Sequence, residues 1–272
     1  MMRKIKKLYP LFNVIKLFKI ARPLGARHAF SFYTAPLRWI PYLGRVRYYD
    51  LLQSHLLLDT QYGMFYTHGS NIGLLFQETY EVERVLPELV NRDTIFVDVG
   101  AYLGFYTVWA CRRSRRVLAI EPNPMALAYL KINVLLNKCS NVTVVPKAVS
   151  NARDLVKLRI PRPARKGYIP TVSSIMWSFE DTLKVDVEAD TLDNIVEEVG
   201  LDTVDFIKID VEGAEGLVVR GAEKTLRKAR ALLIEIWPEN MWIISKLQMK
   251  IIKRSSYTNY LFLKQNLRNQ NV

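Results

Sequence analysis

Two short stretches of the chain concentrate residue types that can do chemistry. In the first, TIFVDVGAYLGFYTVWACRRSRRVLAIE (94–121), an apolar strand carries Asp98 near its end. A turn follows with Gly100 and Gly104 on either side of Tyr102, and a second apolar run ends on Glu121. Glycine lets the backbone turn tightly and approach a ligand closely. A carboxylate at the end of the next strand can accept hydrogen bonds from both hydroxyls of a ribose. The order strand, glycine turn, helix, strand, acid therefore reads as a nucleoside-cofactor pocket in a doubly wound sheet. The spacing is GxxxG, not the GxGxxG that seats a dinucleotide pyrophosphate on a helix N-terminus.

The second stretch is FIKIDVEGAEGLVVRGA (206–222). Asp210 leaves a strand at its carboxyl end, Glu212 follows two residues later, and Gly213 allows a sharp turn into a helix. Paired carboxylates there can act as base, metal ligand or cofactor anchor. The competing reading is that Glu212 and Glu215 only cap the helix and complement its dipole. Glu235 is a further carboxylate in the apolar strand ALLIEIW, where a charge is costly unless it lies at the open end or is paired.

The elements that must position these groups alternate. Strands are predicted at 94–99, 117–120, 142–145, 205–209, 231–236 and 260–264. Helices are predicted at 80–90, 105–113, 124–137, 191–199, 214–228 and 239–252. Asn123 before Pro124 is a helix start, with the cap and the N1 proline in their preferred places. Two β-rich runs, 155–160 and 183–188, flank the segment PRPARKGYIPTVSSIMW, and 56–80 reads as small antiparallel strands. Strands alternating with helices predict an α/β fold with a doubly wound, mostly parallel sheet, whose ligands bind beyond the carboxyl ends of strands where the order reverses. If strands 94–99 and 205–209 are neighbours there, Asp98, Gly100 and Asp210 share one crevice.

The chain has 272 residues, half of them hydrophobic, enough for one principal domain with an appended segment. We expect a basic N-terminal segment over 1–55 and the main domain over 56–272. The net charge of +13 is uneven: residues 1–50 hold eleven Lys and Arg against Asp50 alone, and 224–272 hold ten against two acids, while the middle is mildly acidic. A nucleic-acid surface would more naturally span the catalytic face, so the total charge argues poorly for RNA or DNA. The N-terminal MMRKIKKLYPLFNVIKLFKIARPL interleaves lysines with Leu, Ile and Phe, and its longest uncharged run is too short to span a bilayer. It reads as a basic amphipathic helix on the inner face of a membrane, as a helix packed on the domain or as a frayed tail, in a protein expected in the cytoplasm. Cys111 and Cys139 lie in helical patterns without a CxxC partner, suggesting neither a disulfide framework nor zinc. His28, His55 and His68 show no metal spacing and read as surface or packing residues.

Taken together, VDVGAYLGFYT, IEPNP, AVSN, TLDNI, FIKIDVEGAE and ALLIEI occur in an order that resembles FkbM-type S-adenosylmethionine-dependent methyltransferases, over roughly 78–240. The resemblance implies a class I (Rossmann-like) methyltransferase fold and O-methylation of a sugar, lipid-linked glycan or secondary-metabolite hydroxyl. By matching position, Asp98, Gly100 and Gly104 would surround the methionine part of S-adenosylmethionine, with Thr107 near its carboxylate. Glu121 would hold the ribose, Asn123 and Val149 would lie near the adenine, and Glu81 would approach the methionine end. Two departures stand out. Tyr102 replaces a common Asn, and only SSYTNYLFLKQN follows the last predicted helix, so the C-terminal hairpin is expected to be contracted.

The chemistry implied is an in-line displacement, in which alignment supplies much of the rate. Asp210 or Glu212 would accept the hydroxyl proton, or Asp210 with Glu235 would hold Mg2+. Cytosine-C5 chemistry needs a cysteine beside the cofactor, which neither Cys111 nor Cys139 supplies. An NAD-dependent oxidoreductase should show the third glycine and a Tyr/Lys or His pair. A catalytically inactive module keeping the fold as a membrane-associated scaffold is the remaining alternative. The basic loop 161–174, with Arg162, Arg165, Lys166, Tyr168, Ser173 and Ser174, is read either as a substrate lid or as a solvated loop.

Overall fold

A computed structural model describes residues 21–23, 55–68, 71, 79–162, 173–177, 180–247, 249–254 and 258–264. Residues 1–20 of the expected amphipathic helix, His28 and the loop residues Arg165, Lys166 and Tyr168 lie outside these, and the end of that expected helix, Ala21–Pro23, is a strand paired with residues 58–60. A small antiparallel sheet comes first, formed by β1 (Ala21–Pro23), β2 (His55–Thr60) and β3 (Gly63–His68). Helix α1 (Thr79–Arg84) leads to β4 (Ile95–Val99), α2 (Phe105–Cys111), β5 (Arg116–Ile120), α3 (Pro124–Leu136) and β6 (Val142–Val145). Next come β7 (Ala148–Val149), β8 (Asp154–Pro161) and β9 (Thr182–Asp190), which form a separate three-stranded sheet. The chain continues through α4 (Leu192–Glu198), β10 (Phe206–Ile209), α5 (Glu215–Arg220), α6 (Glu223–Lys228) and β11 (Ala231–Glu235). It closes with α7 (Trp242–Lys246), β12 (Lys250–Arg254) and β13 (Asn259–Leu263).

The central sheet has seven strands in the order β12-β13-β11-β10-β4-β5-β6. Strands β11, β10, β4, β5 and β6 run parallel, and β13 and β12 add antiparallel to β11. The strand order reverses between β10 and β4, which makes neighbours of the two strands whose pairing would bring Asp98, Gly100 and Asp210 together. This overturns the expected contraction of the C-terminus: β12 and β13 pair antiparallel and extend the sheet beyond β11. The second half of the helix predicted over 239–252 is β12, because α7 ends at Lys246 and Leu247 turns extended. The β-branched pair Ile251 and Ile252 then suits a strand that covers the edge of β13.

The helix predicted over 214–228 is two, α5 and α6, meeting at Gly221 and Ala222. The second has its own cap, supplied by α4: the Asp193 carboxylate accepts the Lys224 and Thr225 backbone N–H groups at 3.0 and 2.7 Å. Helix α3 begins as predicted, the Asn123 side chain accepting the Met125 N–H with Pro124 in the first turn.

Side-chain alternation sorts the sheet into two cores. Phe96 and Phe206 are register partners on β4 and β10 and stack at 5.1 Å on the face covered by α2. Val97, Val99, Ile207 and Ile209 point to the other face. Two positions beyond the phenylalanines, the same alternation places Asp98 and Lys208 side by side on the α2 face. The β2–β3 hairpin packs on α3 through two asparagines: Asn133 and Asn137 accept the Tyr66 and Met64 N–H groups at 2.7 and 2.8 Å.

The cysteines are joined in a Cys111–Cys139 disulfide, contrary to the sequence expectation. Cys111 ends α2, and Cys139 lies in the turn between α3 and β6, not in a helix, so two residues 28 apart meet at a Cα separation of 5.7 Å. Cross-linking a loop of this length removes about 3 to 4 kcal/mol of unfolded-state entropy. Reduction, or the Cys111→Ser/Cys139→Ser pair, is expected to lower stability by about that amount; equal denaturation midpoints with and without reductant would show the bond to be absent in solution.

Candidate active site

A cleft of about 240 Å3 opens at the carboxyl ends of β4, β5, β10 and β11, where the strand order reverses. Its construction begins at Gly100. With φ at +78° the residue is in the left-handed region, and a Cβ there would lie 1.8 Å from the Asp210 carbonyl oxygen. The two strand ends approach so closely that only glycine fits. The turn is tied down on its other side, where the Gly100 and Ala101 N–H groups both donate to Ile120 O.

Glu121 lies buried on the wall contributed by β5. Its carboxylate accepts the Tyr102 N–H on one oxygen and the Asn123 N–H on the other, both at 2.8 Å. Each oxygen keeps lone-pair capacity for a further donor, so the group can still accept a pair of ribose hydroxyls. Burial raises its pKa to about 7, with the two backbone N–H groups opposing the rise. Cofactor affinity should therefore fall as pH drops through about 7, since protonation turns one acceptor into a donor. Glu121→Gln is expected to weaken S-adenosylhomocysteine binding by about 10- to 100-fold, the worth of one to two charge-assisted hydrogen bonds, and to flatten that pH dependence. Calorimetric titration across neutral pH checks both; an unaltered affinity would remove Glu121 from the site.

Gly100, Tyr102, Glu121, Asn123, Val149, Asp210, Glu212 and Glu81 all line the cleft, as does Glu235. Asp98, Gly104 and Thr107 do not. Asp98 is buried beneath the Gly100 turn, where Thr107 donates to Oδ2 at 2.6 Å. Thr107 thus serves Asp98 and not a ligand carboxylate. Burial raises the Asp98 pKa, against the opposing pull of Lys208 and Thr107. Gly104 caps α2 in a left-handed conformation, setting the direction in which the turn enters the helix. Tyr102, also left-handed at φ 52°, keeps a polar contact: its hydroxyl accepts the Asn71 side-chain amide at 2.6 Å.

The carboxylates on the β10–β11 side converge around one cation. The Lys208 ammonium is 3.3 Å from Asp210, 3.3 Å from Gly100 O and 3.9 Å from Asp98, and lies over the Tyr106 ring. Sequence reasoning passed it over, although a lysine inside the apolar FIKI run is a signal of the same kind as Glu235. Glu235 accepts from Thr258 at 2.8 Å and from the Trp237 indole at 3.2 Å. Its pKa is raised by burial and by Asp210. Glu212, left-handed at φ 54°, is pushed well above the usual carboxylate range by burial and by Asp210, Glu235 and Glu215. Glu215 takes the helix-start role: it accepts the Val211 and Gly213 N–H groups and the Asn240 amide.

Next to Glu212 in the chain, Gly213 is covered by Trp177, which meets Trp237 edge to face at 4.9 Å. Neither tryptophan was singled out from sequence. Ser173 bonds Asn123 at 3.0 Å, and Ser174 donates to Glu212 O at 2.7 Å. Arg162, in the loop read either as a lid or as solvated, is paired with Asp181 at 2.9 Å. Among the described residues no three His, Cys, Asp or Glu side chains are arranged to hold a metal ion. The Lys208 ammonium pairs at 3.3 Å with Asp210, the carboxylate expected to share Mg2+ with Glu235.

A seven-stranded sheet in this order, with a glycine turn and a strand-end acid at the reversal, defines a class I methyltransferase fold. Residues 98–254, more than half of the chain, match the Methyltransferase FkbM domain, and the chain belongs to that family. The methyltransferase sdnD of Sordaria araneosa is 27% identical over 169 residues, covering 52% of this chain; the chain spans 65% of that relative's length. Among solved structures, a methyltransferase FkbM from Methylobacillus flagellatus KT aligns with a TM-score of 0.43 and 17% identity over 72% of this chain and 54% of its own. M. jannaschii TYW2, solved in complex with AdoMet, aligns with a TM-score of 0.44 and 16% identity over 78% of this chain and 84% of its own.

Proposed function

We propose that this protein transfers a methyl group from S-adenosylmethionine to a hydroxyl oxygen of a sugar, glycan, glycolipid or secondary metabolite. The observation that carries this reading is the placement of Asp210. It stands at the end of β10 on the cleft wall, across the reversal from the Gly100 turn and Glu121, and is held by Lys208. The residues present fit the cofactor: Gly100, Tyr102 and Asn123 line the cleft beside Glu121, whose carboxylate is a ready acceptor for two hydroxyls. When bound, S-adenosylmethionine supplies an electrophilic methyl group on a good leaving group.

The protein's own work is then alignment and proton removal. Asp210 takes the proton from the acceptor hydroxyl as its oxygen attacks. Glu212, pushed towards its protonated form by burial and by its carboxylate neighbours, can donate a hydrogen bond that orients the acceptor. Lys208 neutralises Asp210 and keeps it off the buried Asp98. The paired rings of Trp177 and Trp237 offer an apolar flank on which a sugar ring can stack. Membership of the FkbM family argues against the nicotinamide reading.

The test is incubation of the purified full-length protein with methyl-labelled S-adenosylmethionine and separate lipid, glycan and small-molecule extracts. Label should enter an alkali-stable methyl ether in one fraction. Label in no fraction, with cofactor binding intact, would favour a scaffold that keeps the fold without activity; label on an amine or carbon would overturn the hydroxyl acceptor.

A further inference from the structure

A second cavity, about 230 Å3 and so nearly as large as the active-site cleft, lies at the other end of the sheet. Its floor is apolar, with Val219, Leu226 and Leu247 buried and Met249 at its side. Its rim carries Arg227, Lys246 and Lys264, all exposed, against one carboxylate, Glu223. The position follows from the strand register. Leu263 pairs with Ala231, the first residue of β11, and Lys264 N donates to Arg230 O, so the mouth faces away from the carboxyl-end cleft.

We propose that this cavity is a docking site for an anionic phospholipid at a membrane surface, its phosphate on the three basic side chains and the start of its hydrocarbon on the apolar floor. Charge complementarity argues for the occupant. Residues 224–272 hold ten Lys and Arg against Glu235 and Glu239, and both acids are engaged at the other end of the sheet, with Trp237 and Trp177. Glu223 pairs with Lys246 at 3.2 Å on the surface, an exposed pair that a phosphate can replace. Free phosphate would leave the apolar floor unfilled, whereas a lipid satisfies both halves of the site. Ile251, exposed on β12 just beyond Met249, extends the apolar side of the mouth. Docking in this sense turns the active-site cleft away from the bilayer, towards an acceptor approaching from solution.

The experiment is co-sedimentation of the full-length chain with vesicles of phosphatidylcholine alone and of phosphatidylcholine mixed with phosphatidylglycerol. Binding is expected on the mixed vesicles only, and Lys246→Ala/Lys264→Ala should weaken it about 25-fold, at about 5-fold per surface lysine. Met249→Lys separates a pocket from general charge attraction. It adds a positive charge yet should also weaken binding, because it places that charge against the floor. Stronger or unchanged binding by Met249→Lys would overturn the proposal, as would inorganic phosphate competing as well as short-chain phosphatidylglycerol. Self-association lost in these same variants would assign the face to a second copy of the chain and equally overturn it. Unaltered S-adenosylhomocysteine binding in each variant shows that the fold survives.

Discussion

Gly100→Ala is expected to yield little folded protein, and what folds should not bind S-adenosylhomocysteine. The added Cβ would sit 1.8 Å from the Asp210 carbonyl oxygen, which belongs to backbone and cannot swing aside as a side-chain end would. The neighbouring hydrogen bonds, Asp210 N to Val99 O and Gly100 N to Ile120 O, hold both strand ends in place. Relief therefore requires β4 and β10 to part at their carboxyl ends. Alanine at φ +78° adds about 1 to 2 kcal/mol of backbone strain to that displacement. The sum exceeds about 4 kcal/mol, a large fraction of a domain's stability. Denaturant midpoints and cofactor titration check this; an alanine variant with normal stability and affinity would mean that the turn does not have this geometry.

Asp210→Asn should lower the rate of methyl transfer by about 100- to 10,000-fold, the usual contribution of a positioned base, while leaving cofactor affinity within a few-fold of normal. Asparagine preserves shape and can still face Lys208, but it cannot take a proton from the acceptor. Glu212→Gln is the informative partner. If Glu212 donates a hydrogen bond from its protonated form, the amide replaces it with a much smaller loss. A large loss in Glu212→Gln and none in Asp210→Asn, measured in single turnovers, would exchange the two roles. Lys208→Met complements both, because it leaves Asp98 buried without its cation and should cost stability as well as rate.

Much of the site was legible because its parts are local. The GxxxG turn, Glu121 and the Asn123–Pro124 helix start each follow from a few consecutive residues whose backbone needs are strict. Alternation of apolar runs placed the strands of the parallel sheet to within a residue or two, and the expected neighbours β4 and β10 bring Asp210 to Gly100. Where the reading failed, the deciding partner was distant. KIIKR is strand and not helix because β13 offers it an edge. The 214–228 helix breaks where Asp193, from another helix, caps its second half. Cys111 and Cys139 meet only because α2 and α3 fold onto one side of the sheet.

By itself the sequence determined the class of fold, the family and the end of the sheet at which the candidate site lies, since periodicity, turn glycines and strand-end acids are written residue by residue. Only the tertiary structure decided which acids reach the cleft and in what state. Asp98 and Thr107 go beneath it, Glu215 accepts backbone N–H groups, and Glu212 is driven towards its protonated form by burial and by the neighbouring carboxylates Asp210, Glu235 and Glu215. Burial and charge proximity depend on which strands are neighbours, and that is a property of the packed sheet and not of any one segment.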